Sequence, residues 1–230
     1  MSATLTRPGT VDPAGSGDVA AASTSAEGPD ASPVPPGPRP RVPRRSLGWW
    51  GTVFLILTEG TVFGLLLFAN FYLRANSRHW PQGGIEDPEL VKSGIRSVIL
   101  LSSSLPVHFA EKALGQGHVA RFRRWLALTF AMGAVFMVGH VMEYVELWPT
   151  FRPSTNAYGS SFYTITGLHA LHLLVGLGIL FYLFVQSLKG RYDDATRDHQ
   201  GVTCGILYWH FVDAVWVAVF SSLYLSVTLL

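Results

Sequence analysis

Five long apolar segments constrain this chain more than any other feature. They cover approximately residues 47–73, 93–115, 125–147, 160–188 and 202–229. Each has the length of about 20 residues that a helix needs to cross the hydrocarbon layer of a membrane. Only 14% of the residues are charged, against about a quarter in a soluble domain. The pattern predicts an all-α integral membrane bundle of five transmembrane helices, formed as one domain by residues 46–230.

Residues 1–45 have a different composition, rich in Pro, Gly, Ala and Ser. Such a segment buries too little apolar area to offset its loss of conformational entropy, so we expect a disordered cytoplasmic tail. Arg44 and Arg45 precede the first apolar segment, as in a twin-arginine signal. That segment is too long for a signal peptide, contains Glu59 and lacks a small-residue cleavage site.

The second apolar segment is the weakest of the five. It contains Arg96, Pro106 and His108, and Glu111 and Lys112 lie at its end. We expect a buried position among the other helices, which can satisfy polar groups and a proline break. A re-entrant or interfacial segment is the alternative.

Basic residues predict the orientation, because cytoplasmic loops of membrane proteins are enriched in Lys and Arg. With a cytoplasmic N-terminus, the inner stretches hold Arg39, Arg41, Arg44, Arg45, Lys112, Arg121, Arg123, Arg124, Lys189, Arg191 and Arg197. The outer loops then hold only Arg74, Arg78, Lys92 and Arg152. The bias favours an N-terminus inside and a C-terminus outside, as an odd number of spans requires.

Several polar residues lie deep within these segments. Glu59 is near the centre of the first, His169 and His172 share a face of the fourth, and His210 and Asp213 lie in the fifth. A charged side chain at the bilayer centre costs roughly 2.5–3.5 kcal/mol, so it marks a candidate functional site. We predict that these five form one buried polar network. They can equally be packing contacts without a role in turnover.

His140 and Glu143 form a secondary polar pair on one face of the third segment. Histidines and carboxylates can also ligate iron, copper or zinc, and His169 or His172 could ligate a haem. The paired Glu-x-x-His pattern of di-iron bundles is absent from the sequence, and Cys204 is the only cysteine. We therefore predict no metal or cofactor site in this chain.

Glycines predict close packing between helices. Gly60 and Gly64 form a small-x-x-x-small face beside Glu59, and Gly167 and Gly176 lie in the fourth segment. Small residues let a neighbouring helix approach closely in a membrane.

Three stretches resemble one protein family, subunit III of cytochrome c oxidases and related quinol oxidases. Thr58-Glu59 is similar to a motif of its core helices, and the stretch from Tyr158 to Gly176, with His169 and His172, is similar to its double-histidine signature. Residues 208–216 match its C-terminal signature, Tyr-Trp-His-Phe-Val-Asp. Five spans are typical of the shorter bacterial members.

The resemblance implies a non-catalytic subunit in a bacterial plasma membrane. Haem and copper are expected in the partner subunits I and II, while this chain braces the catalytic subunit, supports proton uptake and maintains stability during turnover. Bound phospholipid is expected, and no nucleic-acid partner is.

Two other functions fit the same residues. The first is an accessory subunit of a quinol oxidase or nitric oxide reductase. The second is an autonomous proton-coupled transporter that uses Glu59 and Asp213 as a relay. The sequence shows no inverted repeat or paired broken helices of the kind that transporters use.

Overall fold

A computed structural model describes residues 46–78, 80, 90–150, 152–193 and 199–226. This part of the chain forms α1 (Leu47–Ala75), α2 (Leu90–Ser102), α3 (Ser104–Gly115), α4 (Val119–Leu147), α5 (Ala157–Leu188) and α6 (Gln200–Phe220), followed by a π-helical turn (Ser221–Leu225). The predicted tail, residues 1–45, lies outside the described residues.

Five of the helical segments are long and apolar enough to cross a membrane. They are α1, the α2–α3 pair, α4, α5 and α6 with its π-helical turn. The predicted all-α fold with five membrane-spanning helices is therefore confirmed. The α4 helix begins six residues before the expected boundary, at Val119, because helix formation continues through a basic turn that is too polar to resemble a membrane segment.

The second span is interrupted at Ser103, between α2 and α3. A proline ring clashes with the carbonyl group four residues earlier and has no N–H to bond it. For Pro106 that position is Ser102, the last residue of α2. The proline thus accounts for the place of the break.

Local capping fixes where α1 and α5 begin. The Ser46 hydroxyl accepts a hydrogen bond from Trp49 N at 3.2 Å, and Asn156 Oδ1 accepts one from Gly159 N at 2.8 Å. Serine and asparagine are favoured at these positions because they satisfy a free N–H of the first helical turn.

The α6 helix lies at the centre of the bundle, against α1, α3 and α5. Half of its most apolar stretch (50%) is buried, against 6% for α1. Trp209 and Trp216 of α6 are fully buried, and their indole N–H groups donate to Ser103 Oγ at 3.0 Å and Ser97 Oγ at 2.9 Å. The α2–α3 span is thereby bonded to the central helix.

Candidate functional site

Glu59 of α1 and His172 of α5 form a pair between two helices. Glu59 Oε2 lies 3.2 Å from His172 Nε2, and the Glu59 side chain is 33% exposed. The opposite ring nitrogen, Nδ1, lies 2.8 Å from the carbonyl oxygen of Leu168. Phe63 and Phe211 pack around the imidazole ring.

The contact to Leu168 determines what this pair can do with a proton. A carbonyl oxygen only accepts, so His172 Nδ1 carries the hydrogen of that bond. Nε2 then either accepts a hydrogen bond from a protonated Glu59 or donates one to an ionised Glu59. In both arrangements one proton lies between the two side chains, and the net charge of the pair is zero. A pair without net charge is less costly to place within a membrane than a lone charged side chain.

Asp213 of α6 lies in a second cluster with Ser104 of α3. Ser104 Oγ donates to Asp213 Oδ2 at 2.5 Å and lies 3.5 Å from His210 Nδ1. Asp213 is 4% exposed, and its Oδ1 atom has no hydrogen-bond partner among the described residues. The serine hydroxyl thus lies between a carboxyl and an imidazole.

His169 belongs to neither cluster. It is fully buried, and in the described part of the chain neither ring nitrogen has a hydrogen-bond partner. Its ring packs against Trp216, with centroids 4.8 Å apart, and against Phe136. An imidazole enclosed by aromatic rings in this way contributes mainly to packing.

The structure thus distributes the five residues of the expected network over three places. His169 and His172 differ by about 60° around the α5 axis, since three residues turn a helix by about 300°. That angle directs His169 toward α4 and α6, and His172 toward α1. Among the described residues, no hydrogen bond joins the Glu59–His172 pair to the Asp213 cluster.

His140 and Glu143 lie in a larger buried cluster that links α2, α4 and the π-helical turn. His140 Nδ1 is 3.5 Å from Glu143 Oε2, which also accepts a bond from Tyr224 at 3.2 Å. On the other oxygen, Oε1, Glu143 accepts from Ser93 at 2.9 Å and pairs with Arg96 at 2.8 Å. Several donors therefore converge on one carboxylate.

Sequence reasoning missed Arg96 as the partner of Glu143. The guanidinium group also donates to the Gly139 carbonyl at 2.6 Å and to Ser93 Oγ at 2.9 Å. Its position within a membrane-spanning segment was the available signal, because an intramembrane arginine requires a partner. The sequence does not indicate which acidic residue that partner is.

The four predicted packing glycines differ in how closely they are approached. A Cβ atom at Gly176 would lie 3.1 Å from the Trp209 ring, and one at Gly167 would lie 3.4 Å from the Tyr144 hydroxyl. One at Gly60 would make only ordinary contact with Phe211, at 3.8 Å, and one at Gly64 would meet no atom within 4 Å. The Gly64 position is therefore not used for close packing among the described residues.

Gly133, which the sequence patterns do not single out, is approached more closely than these four glycines. A Cβ atom at Gly133 of α4 would lie 2.6 Å from the Trp209 ring and 3.0 Å from Leu177. The central tryptophan therefore packs directly against the backbone of α4.

A cavity of about 350 Å³ lies between α1, α5 and the start of α6. Its lining combines apolar side chains with the polar groups of Arg191, Tyr192 and Tyr208. Burial raises the pKa of the Tyr192 phenol, an effect that the nearby Arg191 opposes. The phenol therefore stays protonated near neutral pH and can donate a hydrogen bond.

A metal site needs several His, Cys, Asp or Glu side chains that share one ion. In the described part of the chain, no group of three or more His, Cys, Asp or Glu side chains could hold a metal ion.

Comparison with known proteins agrees with this architecture. The sequence model of the family "Cytochrome c oxidase subunit III" matches residues 44–227, across all five spans. Cytochrome c oxidase subunit 3 of Thermostichus vulcanus is 36% identical over 175 residues, which are 76% of this chain and 85% of the relative. The subunit 3 of Synechocystis is 35% identical over 78% of this chain and 76% of its own length. That of Corynebacterium diphtheriae is 34% identical over 76% and 85%, respectively.

These matches confirm the resemblance found in the sequence motifs. They cover the three motifs and all three interhelical carboxyl clusters, since the matched residues run from just before α1 to the π-helical turn and beyond it. The chain belongs to the cytochrome c oxidase subunit III family.

Proposed function

We propose that this chain is the non-catalytic third subunit of a bacterial respiratory cytochrome c oxidase, where it braces the catalytic subunit I. The family match across every spanning helix is the observation that carries the proposal. Subunits I and II are the proposed partners, and haem and copper are assigned to them. The chain supports proton uptake by the complex and maintains its activity during turnover.

Interhelical contacts support a bracing role. The Glu59–His172 pair connects α1 to α5, Ser104 and Asp213 connect α3 to α6, and Glu143 connects α4 to Ser93 of α2. Every one of the five spans thus takes part in a polar contact with another span. A bundle held in this way offers a fixed surface to a partner.

The proposed location is the bacterial plasma membrane, with the N-terminus in the cytoplasm and the C-terminus outside. Arg121 and Arg124 are exposed at the start of α4, on the side that this orientation places in the cytoplasm. Single cysteines introduced at Arg121 and at Arg152 would test it in a variant without Cys204. A membrane-impermeant thiol reagent should label the second and not the first in intact cells.

Phospholipid is a proposed ligand of the cavity that Arg191 and Tyr192 line. A guanidinium and a phenol can bond a phosphate group, while Leu55, Ile179 and Leu183 offer apolar contact to an acyl chain. Mass spectrometry of the intact oxidase should show less bound phospholipid for Arg191→Gln than for wild type. The exposed Arg152→Gln, between α4 and α5, is the matched control, with unchanged lipid.

Co-purification tests the proposed function directly. The tagged full-length chain, extracted in a mild detergent, should bring with it the haem- and copper-containing subunits of a cytochrome c oxidase in equal stoichiometry. Recovery with nitric oxide reductase or with a quinol oxidase would contradict the assignment, as would recovery of the chain alone.

A further inference from the structure

The α3–α6 seam is a row of polar side chains on the outer surface of the bundle. It consists of Ser104, His108 and Glu111 on α3 and of Thr203 and His210 on α6. The α3 residues are four and three positions apart and therefore share one face of the helix. Thr203 and His210 are two helical turns apart, so they too lie on one face.

Hydrogen bonds join the two helices at both ends of this row. Near the start of α6, the Thr203 hydroxyl donates to Glu111 Oε1 at 3.2 Å. Deeper in the span, Ser104 lies between His210 and the buried Asp213. The seam therefore runs from the end of α3 toward the middle of the bundle.

These polar side chains are not enclosed by the chain itself. His108 is exposed, and Ser104, Glu111, Thr203 and His210 are half-buried. His108 forms no hydrogen bond with any described residue, and Glu111 forms no ion pair with a described Lys or Arg, a nearby basic group being the His210 imidazole. His108 lies seven residues before the end of α3, or about 10 Å along the helix axis.

The exposed face of α4 differs from the seam in its composition. Between Trp125 and Val145 its large exposed side chains are Leu128, Val135, Val138, Val141, Met142 and Val145, and the exposed Glu146 beyond them pairs with Lys92. On α1 the exposed hydroxyls of Thr58 and Thr61 donate to carbonyl groups of their own helix, at 2.8 Å in each case. Both surfaces can therefore face acyl chains without leaving polar groups unsatisfied.

An exposed imidazole about 10 Å inside the span is unfavourable against hydrocarbon, and Glu111 near the end of α3 adds a negative charge to the same surface. Leu105 and Phe109 are exposed on α3 beside these groups, which gives the surface the mixture of apolar and polar contacts typical of helix interfaces in membranes. A partner with a basic or hydrogen-bonding side chain opposite Glu111 and His108 would complement both the charge and the polarity of the seam.

We propose that a transmembrane helix of another oxidase subunit covers the α3–α6 seam and donates hydrogen bonds to Glu111 and His108. This inference rests on the proposed role as an oxidase subunit. It specifies which face of the bundle contacts another subunit. The exposed face of α4 is then left to lipid.

Photo-crosslinking in the purified oxidase tests the inference. A photoreactive amino acid replaces Leu105 beside the seam, and in a matched variant it replaces Val138, which is also exposed but lies on α4. The Leu105 position should give an adduct with another subunit of the complex, identified by mass, at least several-fold more than the Val138 position. Adducts with lipid alone at Leu105, or equal yields of protein adduct at both positions, would overturn the inference.

The seam also predicts the effect of one substitution. His108→Leu should reduce, several-fold, the fraction of this chain retained on the complex after a detergent wash, while Val138→Leu should not change it. Full retention of the His108→Leu chain would overturn the inference and leave the proposed function intact. Failure of the wild-type chain to co-purify would instead contradict the proposed function.

Discussion

His172 Nε2 lies 3.2 Å from Glu59 Oε2, across the boundary between α5 and α1. The α1 helix is the least buried of the five spans. A single polar contact therefore contributes a larger share of the free energy that holds α1 in the bundle than it would for α6. The same imidazole is fixed by the Leu168 carbonyl, which presents Nε2 to Glu59 in one orientation.

Replacing Glu59 with Ala should weaken the attachment of α1 to the bundle. Hydrogen bonds between transmembrane helices contribute about 0.6 kcal/mol on average and about 1.7 kcal/mol at most, so we expect a loss of free energy of unfolding in detergent within that range. Glu59→Gln should lose less, because an amide can still bond the imidazole. Thr58→Ala is the control, since the Thr58 hydroxyl bonds only carbonyls of its own helix.

A double-mutant cycle separates this contact from general effects of the substitutions. The losses from Glu59→Ala and His172→Ala should not add in the double variant, because each removes the same contact. Strict additivity would show that the two side chains do not interact.

Arg96→Ala should destabilise the chain strongly because it leaves the buried Glu143 carboxylate without its cation. Breaking a buried ion pair costs about 3–5 kcal/mol, and both side chains are largely enclosed here, at 15% and 9% exposure. Lys92→Ala removes an exposed pair with Glu146 and should cost no more than about 1 kcal/mol. Chemical unfolding of the two variants in the same detergent measures the difference; equal losses would contradict a buried role for Arg96.

Gly133→Ala should destabilise the bundle because its Cβ would lie 2.6 Å from the rigid ring of Trp209. Forcing an extra carbon into a close-packed site typically costs about 1–3 kcal/mol. Gly178→Ala is the matched control, since a Cβ there meets no atom within 4 Å, and alanine favours a helix over glycine. In thermal unfolding, Gly133→Ala should therefore have a lower midpoint temperature than wild type. The midpoint of Gly178→Ala should be equal to that of wild type or higher.

Segment length and hydropathy were sufficient to predict the five spans, because the cost of exposing polar backbone to hydrocarbon leaves helices as the structure available to such segments. The position of the interrupted second span was also predicted from its sequence. Its polar composition led to the expectation of a position among other helices, and Ser97 and Ser103 do bond the two central tryptophans.

Helix rotation is what the sequence did not reveal. Transmembrane helices are apolar on both their buried and their lipid-facing sides, so hydrophobic periodicity does not indicate which face points inward. His169 and His172 could therefore be placed at the same depth, but not assigned to different neighbours. The joining of Arg96 to Glu143 depends on the relative rotation of α2 and α4 and could not be predicted for the same reason.

The bracing role can be measured by removing this chain from the purified oxidase. The depleted complex should keep its haem and copper content and its initial rate of oxygen consumption, but lose activity in fewer turnovers than the intact complex, and re-addition of the chain should restore its lifetime. Loss of a stoichiometric haem or copper with the chain, or an unchanged lifetime without it, would contradict a non-catalytic bracing subunit.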